Sequence, residues 1–162
     1  MTEPPRTTKH FYEDLIEGRT VPLGSTTITK DEIIAYARAF DPQPLHLDEA
    51  AAKKSMIGRL CTSGWHSCAI LMRLLCDSYL LEAASLGSPG LEEVRFLKPV
   101  FPGDRLSLRY TCNSKRMLAS RPNVGLARIA FEMLNQDGDT VLTWDTNQLM
   151  GLRHPVVAAG RP

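Results

Sequence analysis

The longest run of apolar residues in the chain extends from Ser63 to Ala84. If this stretch is helical, apolar side chains fall on nearly every side of it, and its few charges, Arg73, Asp77 and Glu82, come late. Such a pattern is typical of a helix enclosed by other parts of the protein. An arginine and an aspartate inside the run disfavour a membrane span. We therefore predict a long central helix that lies in the core.

The residues before this helix show shorter periodic patterns. Thr20 to Thr29 predicts a first strand, and Thr29-Lys30-Asp31-Glu32 has the form of a capping box. The box predicts a short helix from Asp31 to about Ala39, and Asp48 is the expected cap of a second short helix. Between the two helices, the prolines in Asp41 to His46 prevent helical continuation and predict a rigid loop.

After the long helix, the apolar pattern changes to that of strands. Turn sequences rich in proline, glycine and asparagine separate four such segments: Leu91 to Lys98, Asp104 to Asn113, Val124 to Asn135 and Thr140 to Leu152. The pair Asp137-Gly138 is a strong hairpin signal. Short turns predict an antiparallel meander, and a long apolar helix needs a concave sheet to bury it. The predicted class is α+β, with an antiparallel sheet wrapped around one central helix.

Length and charge narrow the possible partners. A chain of 162 residues forms one domain, which we place at residues 11–153 between a flexible N-terminal arm, 1–10, and a flexible C-terminal tail, 154–162. The net charge of +1 gives no field that would favour nucleic acid. The first residues show no secretory signal. Four cysteines without CxxC spacing, Cys61, Cys68, Cys76 and Cys112, indicate a reducing compartment, so we expect a cytoplasmic protein.

Candidate catalytic residues occur in the sequence before and just after the start of the long helix. Asp41 and His46 could hold one water between a carboxylate and an imidazole, although either could be only a turn or surface residue. Gly64 could present its amide to an oxyanion, or could be a place where the helix approaches a strand closely. His66, near Cys61 and Cys68, is better interpreted as a packed or capping histidine than as part of a thiol or metal site.

Three segments together carry a resemblance to a known family. They are Asp41-x-x-Pro-Leu-His46, Ser63-Gly64 at the helix start, and the run Val94-Arg-Phe-Leu-Lys-Pro-Val-Phe-Pro-Gly-Asp104. They resemble the signature of the MaoC-like, R-specific enoyl-CoA hydratases. The resemblance implies a single hot-dog domain, with the helix as filling and the sheet as wrapping. It also implies a homodimer, or a higher assembly of dimers, with active sites at the interface.

Position by position, the resemblance assigns roles to seven residues. Asp41 and His46 match the catalytic dyad, and Gly64, with Ser63 before it, matches the thioester-binding oxyanion site. In this sequence Phe40 stands where the family commonly has glycine, Gln43 where it has asparagine, and Ser63 where it has histidine. Phe40 and Gln43 are therefore expected to reshape the substrate pocket. Trp65 is expected either to floor that pocket or to fill the core.

The implied reaction is reversible addition of water to a 2-enoyl-CoA thioester. Asp41 would orient and deprotonate the water while His46 transfers the proton to carbon, although the two roles could be exchanged. We expect no metal and no redox cofactor, because coenzyme A is part of the substrate, and we expect no nucleic-acid or membrane partner. A hot-dog acyl-CoA thioesterase and a non-catalytic acyl-thioester binding module remain alternatives. Acyl length and the choice between coenzyme A and an acyl carrier protein stay open.

The basic residues Lys115, Arg116 and Arg121 lie together in the second half of the chain. They could meet the phosphates of coenzyme A. A solvated hairpin face is the preferred interpretation, because charged runs usually lie in water.

Overall fold

Helices dominate the first half of the chain and strands the second half in the computed structural model, which describes residues 7–155. The helices are α1 (Lys30–Phe40), α2 (Pro44–Leu47), α3 (Glu49–Lys53) and α4 (Gly64–Ser78). The strands are β1 (Thr20–Thr27), β2 (Ser85–Gly87), β3 (Leu91–Phe96), β4 (Arg105–Leu118), β5 (Arg121–Leu134) and β6 (Thr140–Gly151). Short 3₁₀ turns occur at Tyr12–Asp14 and Leu80–Glu82.

The predicted caps of the first helices are confirmed. Thr29 Oγ1 accepts a hydrogen bond from the Glu32 amide at 3.2 Å, and the Glu32 carboxylate accepts one from the Thr29 amide at 2.8 Å. The Asp48 carboxylate caps α3 by accepting from the Ala51 amide at 2.8 Å. These bonds satisfy amides that the first turn of a helix leaves without partners. They fix where α1 and α3 begin.

The rigid loop predicted from Asp41 to His46 is wrong in its second part. Residues 44–47 form one helical turn, α2, and His46 lies within it. Pro44 occupies the first helical position, where its missing N–H removes no hydrogen bond and its fixed φ favours a helix. Pro44 therefore starts a helix, and Pro42 follows the end of α1.

The central helix is shorter and less enclosed than predicted. It ends at Ser78 instead of Ala84, and the chain then makes a 3₁₀ turn before β2. One side of α4 packs into the core through residues such as Leu71 and Leu75, whereas Trp65 and Met72 on the other side are exposed. The sheet covers only one side of the helix, so the prediction of complete enclosure fails for a single chain.

The sheet has six strands, and all of its pairings are antiparallel. Its order is β1-β4-β5-β6-β2. Strand β3 also pairs with β6. The predicted meander is confirmed for β4, β5 and β6, including a turn at Gly138, where φ is 80°. It is wrong for β3, which pairs with β6 instead of its successor β4, because residues 97–104 cross over between them. Strand β2 is absent from the sequence predictions.

The core lies between the concave face of this sheet and α4. Its buried side chains alternate along the long strands, as in Leu108, Tyr110 and Cys112 on β4, and Ile129, Phe131 and Met133 on β5. The predicted arrangement of a sheet around one central helix is confirmed.

The last residues of the predicted N-terminal arm are bound to the rest of the domain. His10, expected in a loose arm, forms a bridge to Ala83, and the Lys9 and His10 amides both donate to the Glu82 carbonyl. Residues 1–6 of the predicted arm and 156–162 of the predicted tail lie outside the described residues. Within residues 7–155, no helix has the length and apolar character needed to cross a membrane.

Candidate active site

Asp41 and His46 come together where α1 gives way to α2. Asp41 directly follows α1, and its amide donates to the Ala37 carbonyl. The Asp41 Oδ2 atom lies 3.8 Å from His46 Nε2, and the side chains are 18% and 8% exposed. This separation exceeds a direct hydrogen bond, but a water oxygen about 2.8 Å from each atom would contact both. The predicted pair therefore shares one small polar niche.

Two side chains hold the Asp41 carboxylate. The Ser63 hydroxyl donates to Oδ2 at 2.5 Å, and the Gln43 amide donates to Oδ1 at 2.8 Å. These bonds, with that of Ser63 the stronger influence, hold the pKa of Asp41 below its ordinary value. The carboxylate is thus ionised at neutral pH and fixed in orientation.

The tautomer of His46 follows from its backbone contact. His46 Nδ1 lies 2.9 Å from the Cys61 carbonyl oxygen, which can only accept a hydrogen bond. Nδ1 therefore carries a proton, and Nε2 is the ring nitrogen that faces Asp41. Burial raises the pKa of the nearby Cys61 thiol, so this cysteine stays protonated.

Gly64 is the first residue of α4, and the helix start is left without a side-chain cap. Ser63 occupies the capping position, but its hydroxyl bonds to Asp41 instead of to a backbone amide. The ring of Phe96 lies against Gly64, since a Cβ at this position would stand 2.8 Å from the ring. Glycine allows this close approach, and first-turn amides of α4 remain available to an oxyanion.

Two cavities flank this first turn of α4. The smaller has a volume of about 400 Å³, and its wall includes Gln43, His46, Cys61, Gly64, Phe96 and Lys98. The larger has a volume of about 590 Å³, and its wall includes Ile28, Glu32, Tyr36, Phe40, His66 and Arg73. The niche of Asp41 and His46 lies at the smaller cavity, which His46 and Gly64 both line. Phe40, the neighbour of Asp41, lines the larger one.

The residues predicted for the substrate pocket are spread over different places. Gln43 lines the smaller cavity but is bound to Asp41, and Phe40 is 75% exposed at the larger cavity. Trp65 lines neither cavity and is 64% exposed, with its ring edge-on to Phe96. It therefore does not fill the core of the single chain.

Sequence reasoning missed two residues of this site. The Cys61 carbonyl acts through the backbone, which leaves no mark on side-chain patterns, and Phe96 reaches Gly64 only because β3 pairs with β6. The structure places Cys61 beside His46 and not beside His66. The Cys61 Sγ atom lies 3.8 Å from His46 Nδ1. His66 instead stacks on Tyr36.

The basic residues of the β4–β5 hairpin lie elsewhere. Lys115 donates to the Tyr12 carbonyl at 3.3 Å and sits over the Tyr12 ring. Lys115 and Arg116 line a third cavity, which shares no lining residue with the two beside α4. The possible contact of these residues with the phosphates of coenzyme A stays a prediction.

The chain is similar to known proteins over most of its length. The model of the MaoC like domain family matches residues 16–130. The chain is similar to the crystal structure of a MaoC-like dehydratase from Rhodospirillum rubrum, with 35% identity and a TM-score of 0.84 over 90% of this chain and 99% of that one. An uncharacterised Bacillus subtilis protein is 27% identical over 74% of this chain and 83% of its own length.

A third similarity concerns the fold. The structure of an R-hydratase from Pseudomonas aeruginosa superimposes with a TM-score of 0.70 at 22% identity, over 96% of each chain. Sheet, central helix and chain length thus agree with hot-dog proteins, which confirms the predicted hot-dog fold. With a family match that extends from Ile16 to Ala130, the chain belongs to the MaoC-like domain family.

Proposed function

We propose that this protein is a hydratase, or in the reverse direction a dehydratase, that acts on 2-enoyl-CoA thioesters. The observation that carries the proposal is the pairing of an ionised Asp41 with Nε2 of His46, 3.8 Å apart, beside the uncapped start of α4. Membership of the MaoC-like family and similarity to a protein described as a MaoC-like dehydratase support it.

The site supplies what water addition requires. A water held between Asp41 and His46 gives its proton to Nε2 as its oxygen forms a bond to the β-carbon. Electrons of the double bond then move towards the thioester oxygen, where the Gly64 amide at the helix start stabilises the negative charge. His46 returns the proton to the α-carbon, so the enzyme is unchanged and one water has been added. Asp41 orients the water and stabilises the transient imidazolium.

This reaction needs neither a metal nor a redox cofactor, because no electrons leave the substrate and the amide polarises the carbonyl. Coenzyme A enters only as the carrier of the acyl group. An acyl carrier protein would present the same thioester, and the choice between the two carriers is part of the proposal to be tested.

A thioesterase would need an acidic residue or a bound water aimed at the carbonyl carbon. Asp77 and Glu82, the acidic residues further along the chain, accept hydrogen bonds from Arg73 and Lys9. Asp41 is the carboxylate that lies beside the start of α4. The arrangement of these carboxylates therefore fits a hydratase better than a thioesterase.

The test follows the absorbance of the conjugated double bond and the release of free thiol in the same samples. Wild type, Asp41→Asn and the control Asp31→Asn are compared on crotonyl-CoA and longer 2-enoyl-CoA thioesters. Asp31 is an exposed residue in the first turn of α1. We expect absorbance to fall without thiol release, and Asp41→Asn to lower kcat/KM by roughly 100- to 10,000-fold.

Other outcomes would replace this function. Thiol release would identify a thioesterase. Binding of the thioesters without any change in absorbance or thiol would identify a binding module. Equal activity of Asp41→Asn and Asp31→Asn would remove Asp41 from the mechanism.

A further inference from the structure

The larger cavity has a buried polar group that the proposed mechanism does not use. His66 lies in its wall and is 93% buried, since only 7% of its surface is exposed. Its Nδ1 atom is enclosed and has no hydrogen-bond partner. Within residues 7–155 no group bonds to Nε2 either, and Nε2 is not enclosed, so Nε2 is the nitrogen that a ligand in the cavity can reach. Buried polar atoms are usually paired, because an unpaired one has lost its hydrogen bonds to water without replacement.

Packing holds this imidazole in one orientation. The His66 ring stacks on that of Tyr36, with centroids 4.3 Å apart and planes 5° from parallel, and Tyr36 in turn contacts Phe40. Burial lowers the pKa of His66, so the ring is neutral at physiological pH and offers one N–H and one lone pair. The cavity therefore contains a fixed group that can bond to a neutral oxygen.

The charges at this cavity disfavour an anionic ligand. Glu32 and Asp77 contribute two carboxylates and Arg73 one guanidinium, so the wall carries a net negative charge. Arg73 is already bound to Asp77 at 2.7 Å, and the Glu32 carboxylate is bound to Thr29. All three residues are exposed, which places them at the mouth, whereas His66 is deeper. Apolar residues, among them Ile28, Ile70 and Leu74, complete the wall.

The larger cavity lies close to the residues proposed for catalysis. Phe40 precedes Asp41 and His66 lies two residues after Gly64, so the cavity begins beside the groups that would act on the thioester. A thioester has two arms, and a cavity lies on each side of the first turn of α4. Gly64, His46 and Lys98 line the smaller one, which suits the thioester and its carrier. The larger one is left for the acyl group.

We infer that the larger cavity binds the distal part of the acyl group and that His66 hydrogen-bonds a neutral oxygen, a hydroxyl or carbonyl, on that acyl chain. The substrate class is then an oxygenated acyl thioester in place of a plain alkyl one. This inference rests on the proposed function for the identity of the thioester.

Binding of unreactive ligands tests the inference separately from catalysis. Saturated acyl-CoA thioesters from butanoyl to octanoyl are compared by calorimetry with counterparts that carry a terminal hydroxyl. For at least one chain length, we expect wild type to bind the hydroxylated form about tenfold more tightly, the effect of one buried hydrogen bond. His66→Phe keeps the stacked ring without its nitrogens and should lose this preference. His66→Gln, which restores a hydrogen-bonding group, should recover part of it.

Three results would overturn the inference: no hydroxylated thioester that binds more tightly than its alkyl counterpart, a preference that survives in His66→Phe, or a stronger preference for a terminal carboxylate that is lost in Arg73→Gln. Because the ligands are saturated, these results do not depend on turnover. An absence of hydration of every 2-enoyl-CoA, with the hydroxyl preference intact, would instead remove the proposed function and leave the binding site in place.

Discussion

At the scale of single residues, the ionisation of Asp41 depends on the side chains that hold it. Ser63 and Gln43 donate to its two oxygens, and the Ser63 hydroxyl contributes most to its lowered pKa. The family resemblance links Ser63 to the thioester, but its buried hydroxyl is used on Asp41. We therefore interpret Ser63 as a residue that positions Asp41.

Ser63→Ala is expected to shift the acid limb of the pH profile. Loss of the hydroxyl raises the pKa of Asp41 towards its ordinary value of 3.8. Because the reaction uses the carboxylate, activity disappears as the pH falls through this pKa, and the limb moves to higher pH in the variant. The shift is checked by measuring the turnover rate for hydration of crotonyl-CoA across the acidic range in which the protein stays folded.

The matched control is Ser67→Ala, another buried serine, whose hydroxyl pairs with that of Thr62 at 2.9 Å. Its acid limb should stay where it is in wild type. Coincident limbs for wild type and Ser63→Ala would contradict the role assigned to Ser63.

The stability of the fold depends on pH in the same direction. The pKa of Asp41 is lower in the folded than in the unfolded state, so the ionised carboxylate stabilises the fold above the unfolded-state pKa. This stabilisation is lost as the pH falls through the folded-state pKa.

Residue patterns predicted those parts of the site that depend on local chemistry. Thr29 and Asp48 are recognisable as caps because each bonds to an amide three residues away. Ser63 is also of a residue type that commonly caps helices. Its hydroxyl bonds instead to Asp41, which is 22 residues away in the sequence. Contacts of this kind depend on how α1 packs against α4, which a local pattern does not contain.

At the scale of elements, the start of α4 and the end of β3 form one unit. Phe96, the last residue of β3, lies against the first residue of the helix. The apolar pattern predicted both elements, but the pairing of β3 with β6, which brings Phe96 there, was not predicted. Strand order depends on long-range packing, and several orders would satisfy the same alternation.

Gly64→Ala is expected to impair activity more than folding. A Cβ at this position would meet the Phe96 ring at 2.8 Å, and this ring is 53% exposed, so it can swing away at little cost in stability. The displaced ring would crowd the smaller cavity and push the substrate out of position. A shift of about 1 Å can lower a rate about a hundredfold, so kcat/KM should fall by that order. The melting temperature and kcat/KM are measured together.

The double variant Gly64→Ala, Phe96→Ala separates crowding by the ring from loss of the amide. Removal of the ring should restore most of the activity, because alanine keeps the backbone N–H. Phe96→Ala alone provides the reference activity. A double variant as inactive as Gly64→Ala would show that the new methyl group obstructs the thioester directly.

At the scale of the whole molecule, the single chain leaves one face of α4 and the outer edge of β3 uncovered. The side of α4 that faces away from the core exposes Trp65 and Met72, which leaves large apolar side chains in water. Strand β3 pairs with β6 along one edge, and within residues 7–155 no strand pairs with its other edge. An open edge of this kind can pair with the same edge of a second chain.

A homodimer, which the family resemblance implies, would cover both surfaces. Two chains joined along β3 would continue the sheet and bring their α4 helices near each other, with Trp65 and Met72 between them. We expect wild type to have the mass of a dimer in light scattering after gel filtration. Trp65→Glu with Met72→Glu should give a folded monomer, because two carboxylates would be buried without partners in the dimer.

The control for this pair of substitutions is Ile16→Glu, which replaces a side chain that is 52% exposed near the chain start, and it should stay a dimer. A monomeric wild type would contradict the expectation, and so would a Trp65, Met72 variant that remains a dimer. Since Trp65 directly follows Gly64, loss of hydratase activity together with the dimer, but not in the control, would further indicate that the second chain completes the site.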